Sequence, residues 1–209
     1  MSYYPVFLDI KGKRCVVVGG GTVALRKVEM LLDHEAKVTV ISPHLCDELE
    51  KLEKKVEIAR REYQSGDIEG AFVVVAATDD PAINERVARD AEERGILINV
   101  VDVPALSNFI VPSYLRRGGL TVAVSTGGKS PAMARKLRTE LETEFGPEYA
   151  GLIAVAEEVR SELKEQEIRV SPDTWQQALE LDDLLAIIRS GQKDQAKKKL
   201  YQNLLEAAD

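Results

Sequence analysis

The chain has 209 residues, of which 44% are hydrophobic, and a formal net charge of −7 at pH 7. This hydrophobic content can build a packed core and excludes an intrinsically disordered chain. The acidic balance argues against nucleic acid as the main partner, and no apolar run is long enough to span a bilayer. Two isolated cysteines, Cys15 and Cys46, form no C-x-x-C motif, and the N-terminus shows no signal-peptide pattern. We therefore expect a soluble cytoplasmic protein.

The first predicted strand, Arg14–Val18, ends in three glycines, and a helical pattern over residues 23–32 follows at once. Glycines at 19 and 21 permit backbone angles and close approaches that a Cβ would block, and Ala24 takes the third small position. The result is G-x-G-x-x-A in the strand–turn–helix context of dinucleotide binding, with helix N–H groups for a pyrophosphate. A tight turn without a ligand is the alternative. The predicted cofactor contacts here are Gly19, Gly20, Gly21, Thr22 and Val23.

Strands and helices alternate over the following residues. Strands are predicted at 37–41, 56–60, 72–76 and 96–101, and helices at 45–52 and 83–94. Asp79 or Asp80 with Pro81 suits the start of the second of these helices, and Gly95 suits its end. This alternation predicts an α/β fold with a Rossmann-like doubly wound parallel sheet and right-handed crossovers.

Ligands of such sheets bind beyond the carboxyl ends of the strands. At the end of the second strand, Ser42 and Pro43 stand where many NAD-binding folds carry an acidic residue for the ribose, and no arginine is present to receive a 2′-phosphate. This edge alone therefore does not decide between NAD and NADP. Ser42 and Pro43 are predicted cofactor contacts. Further contacts are predicted at Ala77, Thr78 and Asp79.

Asp102 follows the strand at 96–101 and should project into the same cleft. A carboxylate there can accept a proton or contact a metal, and it can equally cap the turn that contains Pro104. The two histidines, His34 and His44, lie ten residues apart, and the sequence has no nucleophile-elbow motif. This set is a poor basis for a Ser-His-Asp triad or a preformed zinc site.

The pattern changes after Asp102. Strands are predicted at 108–112 and 120–124, followed by the glycine-rich turn 125–131 and a helix at 132–145. The turn is not a P-loop, because Ala123 stands where that motif needs glycine and Pro131 follows directly after the serine. It is instead expected to bind an anion through backbone N–H groups, hydroxyls and Lys129. From residue 146 onward the pattern is helical.

Five motifs, taken together and in order, resemble those of precorrin-2 dehydrogenases, the dehydrogenase and ferrochelatase part of siroheme synthases. The resemblance is strong over residues 1–145 and weak over the helical tail. The motifs are Gly19-Gly20-Gly21-x-Val23-Ala24-x-Arg26-Lys27, Ala76-Ala77-Thr78-Asp79-Asp80, Asn99-Val100-Val101-Asp102, Phe109-Ile110-x-Pro112-Ser113 and Val124-Ser125-x-Gly127-Gly128-x-Ser130-Pro131-x-x-Ala134-Arg135.

The resemblance implies an activity. Precorrin-2 loses a hydride to NAD and a proton to a base or solvent, which gives sirohydrochlorin, and some members also insert ferrous iron. Asp102 matches an aspartate implicated in catalysis, as a base or in metal delivery, with no preformed metal site. The family is homodimeric through the segment after Asp102, and its tail closes over the active site. The expected parts are an NAD-binding Rossmann domain at 1–112, a small α+β dimerisation and substrate-turn segment at 113–145 and a helical C-terminal domain at 146–209.

Precorrin-2 is a polycarboxylate, so we expect cations and the anion-binding turn to contact it. Ser125 and Thr126 match the serine-rich turn of the family, in which the second position is serine in some relatives. A nucleotide-sensing regulatory module without catalysis is the alternative function, which Ser42 and the turn 125–131 disfavour. The predicted substrate contacts are Ser125, Thr126, Gly127, Lys129, Arg116 and Arg135, with Arg117 and Arg138 as further basic candidates.

Overall fold

The computed structural model describes residues 3–207. The chain divides into two compact units, Met1–Val111 and Pro112–Asp209. The first unit contains one parallel sheet with the strand order β3-β2-β1-β4-β5. Its strands are β1 (Arg14–Val18), β2 (Lys37–Ile41), β3 (Glu57–Ala59), β4 (Val73–Ala76) and β5 (Leu97–Val100). This order confirms the predicted doubly wound fold, and its topological switch point lies between β1 and β4.

Strand β1 forms because its run of small and β-branched residues fits a pleated surface that is covered on both faces. Cys15 and Val17 pack into one apolar cluster with α1, and Val16 and Val18 pack into the cluster on the opposite face. Burial raises the pKa of the Cys15 thiol to about 11. Cys15 therefore acts as a small hydrophobic residue of the core.

The helices of the first unit are α1 (Thr22–Asp33), α2 (Asp47–Glu50) and α3 (Pro81–Glu93). The Asp80 side chain caps α3 by accepting the N–H groups of Ala82 at 2.8 Å and Ile83 at 3.4 Å, and Pro81 occupies the first turn. Helix α2 is only four residues long, although the apolar spacing predicts a helix over residues 45–52. Residues 51–52 form a turn, and residues 45–46 have no regular structure.

The strand predicted at 108–112 is wrong. These residues are all described and form no strand, and β6 begins only at Ser113. The side chain of Asn108 accepts from the Ile98 N–H at 2.8 Å and donates to the Ile96 carbonyl at 3.0 Å. Ser107 accepts from the Val100 N–H at 2.9 Å. The Asn108 N–H adds one backbone bond, to the Ile98 carbonyl at 3.1 Å. The edge of β5 is thus satisfied mainly by side chains, where a paired strand would have used backbone groups alone.

The second unit contains an antiparallel hairpin and five helices within the described residues. The hairpin joins β6 (Ser113–Arg117) to β7 (Leu120–Val124) through Gly118, whose φ of 57° suits the turn. The later helices share an apolar cluster that includes Leu152, Val155 and Leu200. The helices are α4 (Pro131–Glu144), α5 (Glu148–Glu165), α6 (Pro172–Ala178), α7 (Leu181–Arg189) and α8 (Lys193–Glu206).

None of the helices in the described range 3–207 has the length and hydropathy that a membrane crossing requires.

A buried polar pair fastens the loop before β4 to α3. The Tyr63 hydroxyl donates to Asp90 Oδ2 at 2.8 Å, and the two residues are only 5% and 8% exposed. The Arg86 guanidinium lies 5.5 Å from the centre of the Tyr63 ring. The pair therefore satisfies a buried carboxylate, and either residue alone would leave the other without its partner.

Tyr63→Phe is expected to lower the free energy of unfolding by about 1–3 kcal/mol, because Asp90 stays buried without its donor. Burial, and then the hydrogen bond to Asp90, raise the pKa of Tyr63 above its ordinary value of 10.0. The folded state thus favours neutral Tyr63, so its contribution is complete below pH 10.0 and declines as the pH rises further. Urea denaturation from pH 7 into the alkaline range should therefore show a smaller decrease of the free energy of unfolding in the variant than in the parent protein. Equal denaturation midpoints at neutral pH would contradict this account.

Candidate functional site

The glycine turn after β1 is shaped by contacts with two neighbouring loops. Gly19 has a φ of 130°, and a Cβ there would lie 2.3 Å from the Ala77 carbonyl oxygen. A Cβ on Gly20 would lie 1.9 Å from the His44 carbonyl oxygen. Only glycine fits these two positions.

Gly21 differs from the two glycines before it. It has an ordinary φ of −82°, and a Cβ there would meet no atom within 4 Å. It is the N-cap of α1 and supplies no side chain to cap the helix, whose first turn holds no acidic residue. The first N–H groups of α1 and the positive end of its dipole are thus left beside open space. This arrangement fits the diphosphate of a dinucleotide.

The segment after β2 closes against the same turn. The Cys46 N–H donates to the Gly20 carbonyl at 2.8 Å, and the Ser42 hydroxyl donates to the His44 carbonyl at 2.7 Å. Ser42 is only 8% exposed, so its hydroxyl hydrogen is used within the protein, whereas Pro43 and His44 are exposed. The contact with the His44 backbone was not predicted from the sequence. The extra glycine at position 20 was the one available signal.

The turn after β4 lies next to the glycine turn. The Ala77 N–H donates to the Val18 carbonyl at 2.8 Å, which continues the pairing of β1 with β4. Thr78 is half-buried and Asp79 is exposed. The structure therefore brings Ala77, Thr78 and Asp79 to the switch point beside Gly19, as expected for residues at the carboxyl ends of neighbouring parallel strands.

Asp102 follows β5 at the same edge of the sheet. Its φ of 59° lies in the left-handed region, which aspartate enters more often than most residues with a side chain. The residue is exposed, and its carboxylate accepts no hydrogen bond from any residue in the described range. The turn Pro104–Leu106 has Val103 as its N-cap without a side-chain hydrogen bond, so Asp102 does not cap it.

Lys27 on α1 is a charge near Asp102 that the sequence analysis did not assign to the site. It is half-buried, and burial, followed by the charge of Arg26, lowers the pKa of its ammonium group. The negative charge of Asp102 acts in the opposite direction and raises that pKa. Lys27 therefore helps to balance the charge at the Asp102 edge.

In the second unit, hydroxyl groups hold the glycine-rich turn between β7 and α4. Ser125 Oγ accepts from the Gly127 N–H at 3.1 Å, and Thr126 Oγ1 accepts from the Ser130 N–H at 2.9 Å. Gly127 has a φ of 62°. The two predicted hydroxyl residues therefore shape the turn, and both can still donate their own hydroxyl hydrogen to an anion.

The basic candidates of the second unit fall into two groups. Arg138 is ion-paired with Glu142, and Arg117 donates to the Phe145 carbonyl at 3.1 Å. Lys129 and Arg135 are exposed, and their side-chain cations contact no partner in the part of the chain that the structure describes. Arg116 is exposed and donates to the Gly118 carbonyl at 3.4 Å. Lys129 and Arg135 are thus the cations most available to an anionic ligand.

Among residues 3–207, no three His, Cys, Asp or Glu side chains lie close enough together to hold a metal ion.

Comparison with family models divides the chain in two. Residues 6–113, just over half of the chain, match the NAD(P)-binding family model. Residues 117–144 match the model for the central part of sirohaem biosynthesis proteins. The first match spans the parallel sheet with its glycine turn, and the second spans β7 and all of α4.

Individual relatives agree with these matches. The siroheme synthases of Thioalkalivibrio sulfidiphilus and Nitrosococcus oceani are each 40% identical, over 100% and 96% of this chain. The alignments cover 43% of each relative, so the chain spans less than half of their length. The solved structure of SirC, a precorrin-2 dehydrogenase, is 27% identical with a TM-score of 0.69, and the match covers 98% of this chain and 100% of that one.

The strand order, the glycine turn and the uncapped start of α1 define a Rossmann-type dinucleotide-binding protein. The chain belongs to the NAD(P)-binding family. The resemblance to the dehydrogenase part of siroheme synthases, predicted from five motifs, is confirmed by the relatives and by the SirC structure.

Proposed function

We propose that the chain oxidises precorrin-2 to sirohydrochlorin with NAD as the hydride acceptor. The observation that carries the proposal is the uncapped N-terminus of α1 beside the open space at Gly21. It is supported by the likeness to SirC over 98% of the chain. In the balanced reaction, precorrin-2 gives a hydride to NAD⁺ and releases a proton, which yields sirohydrochlorin and NADH.

The residues at the carboxyl edge of the sheet would bind and orient the cofactor. The N–H groups at the start of α1 would hold its diphosphate, and Thr78 and Asp79 would contact it at the switch point. Bound NAD supplies the hydride acceptor, so most of the rate must come from positioning. NAD is favoured over NADP because Arg60 and Arg61, which follow β3, are ion-paired with Glu50 at 2.8 Å and Asp67 at 2.5 Å.

Asp102 is the proposed proton acceptor. Its carboxylate is exposed and has no hydrogen-bond donor in the described range, so it is available to a reacting C–H or N–H group. The same property makes insertion of ferrous iron into sirohydrochlorin a second candidate activity, with Asp102 receiving the iron. In that activity iron is a substrate.

The second unit would bind the carboxylates of precorrin-2. The turn 125–131 offers N–H groups and hydroxyls, and Lys129 and Arg135 offer unpaired positive charge. We assign residues 113–145 to dimerisation and substrate binding and residues 146–209 to a helical domain in a homodimer. The two free cysteines, Cys15 and Cys46, suit a reducing cytoplasm.

Arg135→Ala is expected to raise the KM for precorrin-2 by about tenfold, which corresponds to about 1.4 kcal/mol of lost binding. The reason is that Arg135 is an exposed cation whose charge no described residue neutralises. Arg138→Ala is the matched control, because the charge of Arg138 is already taken by Glu142 on the same helix. Steady-state kinetics with saturating NAD⁺ measures the KM for precorrin-2 in both variants. Equal KM values for the two variants would remove Arg135 from the substrate site.

The proposal is tested by incubating the purified chain with precorrin-2 in the absence of oxygen, with and without NAD⁺. NADH and the sirohydrochlorin spectrum should appear together and only when NAD⁺ is present. Tight binding of NAD⁺ without any effect of precorrin-2 would instead favour a nucleotide-sensing module. Addition of Fe²⁺ to the product then tests iron insertion, which should convert the sirohydrochlorin spectrum to that of siroheme.

A further inference from the structure

Asn84, on the first turn of α3, is a buried polar residue whose side chain forms hydrogen bonds with one neighbour, Thr78. Only 8% of its surface is exposed. Its Oδ1 accepts from the Thr78 hydroxyl at 2.8 Å and from the Thr78 N–H at 3.3 Å, and its Nδ2 donates to the Thr78 carbonyl at 2.9 Å. One side chain thus engages the N–H, the carbonyl and the hydroxyl of Thr78.

The asparagine at this position serves the turn at Thr78 and not the apolar packing of α3. Its helix neighbours Ile83 and Val87 pack against the apolar cluster on this face of the sheet, where an apolar side chain at 84 would add buried surface. Such a side chain would, however, leave the Thr78 N–H, carbonyl and hydroxyl without their present partner, and an unpaired buried polar group costs about 1–3 kcal/mol. What Asn84 supplies is a fixed conformation for the turn after β4.

That turn is in contact with the glycine turn. The Ala77 carbonyl oxygen, one residue before Thr78, is the atom that a Cβ on Gly19 would meet at 2.3 Å. A movement of the Thr78 peptide would therefore move the oxygen against which the glycine turn packs. Asn84 thus fixes both loops that flank the switch point.

The hydrogen bonds of the turn also leave one donor unused. The N–H groups of Ala77, Thr78 and Asp80 donate to Val18, Asn84 and Thr78 respectively. The Asp79 N–H has no acceptor among residues 3–207 and lies in an exposed part of the turn. It can donate to a ligand oxygen without breaking a bond of the protein.

We propose that Asn84 is a positioning residue for the dinucleotide, which holds the Thr78 peptide so that the Asp79 N–H and the glycine turn are set for binding. The inference rests on the proposed NAD-binding function and adds a residue that does not itself contact the cofactor. Its loss should weaken binding while leaving the chemical step intact. At saturating NAD⁺ the kcat therefore stays close to that of the parent protein.

The test compares NAD⁺ binding by calorimetry in the parent protein, Asn84→Ala and Val87→Ala. Val87 lies on the same helix, is fully buried and contacts the core, so its truncation destabilises α3 without touching Thr78. Asn84→Ala should raise the Kd for NAD⁺ by about tenfold. The Asn84→Ala variant should also exchange the hydrogen of the Thr78 N–H faster. Val87→Ala should leave the Kd for NAD⁺ unchanged, although it lowers the Tm by a similar amount.

Asn84→Asp keeps the size of the side chain and the acceptor oxygen but loses the donor to the Thr78 carbonyl. It serves the same test if Asn84→Ala does not fold, and it should also weaken binding. An unchanged Kd in the Asn84 variants, or an equal rise in Val87→Ala, would overturn the inference. If the parent protein does not bind NAD⁺, the proposed function fails and this inference fails with it. If the parent protein binds NAD⁺ and the Asn84 variants bind it equally well, only this inference fails.

Discussion

Gly21→Ala is expected to fold as the parent protein does but to bind NAD⁺ at least about tenfold more weakly. The backbone at Gly21 has an ordinary φ of −82°, and a Cβ there meets no protein atom within 4 Å. The added methyl group would instead occupy the space beside the free N–H groups of α1, where the diphosphate must approach. Exchange of glycine for alanine at an N-cap should reduce stability by only about 1 kcal/mol.

Gly20→Ala is the matched comparison. The same methyl group one residue earlier would lie 1.9 Å from the His44 carbonyl oxygen, so the loop after β2 would have to move. We expect a loss of at least about 3 kcal/mol of stability, at the upper end for overpacking. Thermal unfolding and NAD⁺ titration of both variants separate the two effects. If Gly21→Ala bound NAD⁺ as the parent does, the diphosphate could not lie at the start of α1.

Asp102→Asn is expected to lower the kcat for precorrin-2 oxidation by about 10²–10⁴-fold, the usual contribution of a positioned general base. Asparagine tolerates the left-handed backbone at this position, where φ is 59°, so the fold should be preserved. The variant removes the charge and the proton-accepting oxygen while keeping the size of the side chain. Single-turnover kinetics with saturating NAD⁺ and precorrin-2 measures the effect.

Glu35→Gln is the control for Asp102→Asn. Glu35 is also an acidic residue in the first unit with a positive φ, of 58°, but it follows α1 and is ion-paired with exposed Lys11. Its replacement should leave both the kcat and the KM for NAD⁺ unchanged. A dehydrogenation rate of Asp102→Asn within about twofold of the parent would exclude Asp102 as the base, since such a change is far below the catalytic range. Iron insertion, measured on preformed sirohydrochlorin, tests the second role of Asp102 separately.

The parallel sheet could be predicted because its signals are local. Valine-rich runs such as residues 73–76 are buried on both faces, and glycine and proline mark the ends of the strands. The strand predicted at 108–112 failed because an apolar run does not reveal its partner. Ser107 and Asn108 bond to β5 through their side chains, which no periodicity records.

The candidate site was predictable where it depends on a motif and not where it depends on packing. The fingerprint indicated Gly19 and Gly21 directly, whereas the contact of Gly20 with His44 joins residues from separate loops. Likewise, the inward hydrogen bond of Ser42 and the burial of Lys27 arise only once the helices lie on the sheet. Such tertiary contacts have no local pattern in the sequence.

The most direct test of the account is a single-turnover reaction, with enzyme in excess over precorrin-2, in which NADH and sirohydrochlorin are quantified together without oxygen. Hydride transfer to a cofactor held at the glycine turn predicts one NADH for each sirohydrochlorin, with both products rising at the same rate. Sirohydrochlorin that formed equally fast without NAD⁺, or NADH that did not follow the tetrapyrrole product, would contradict it.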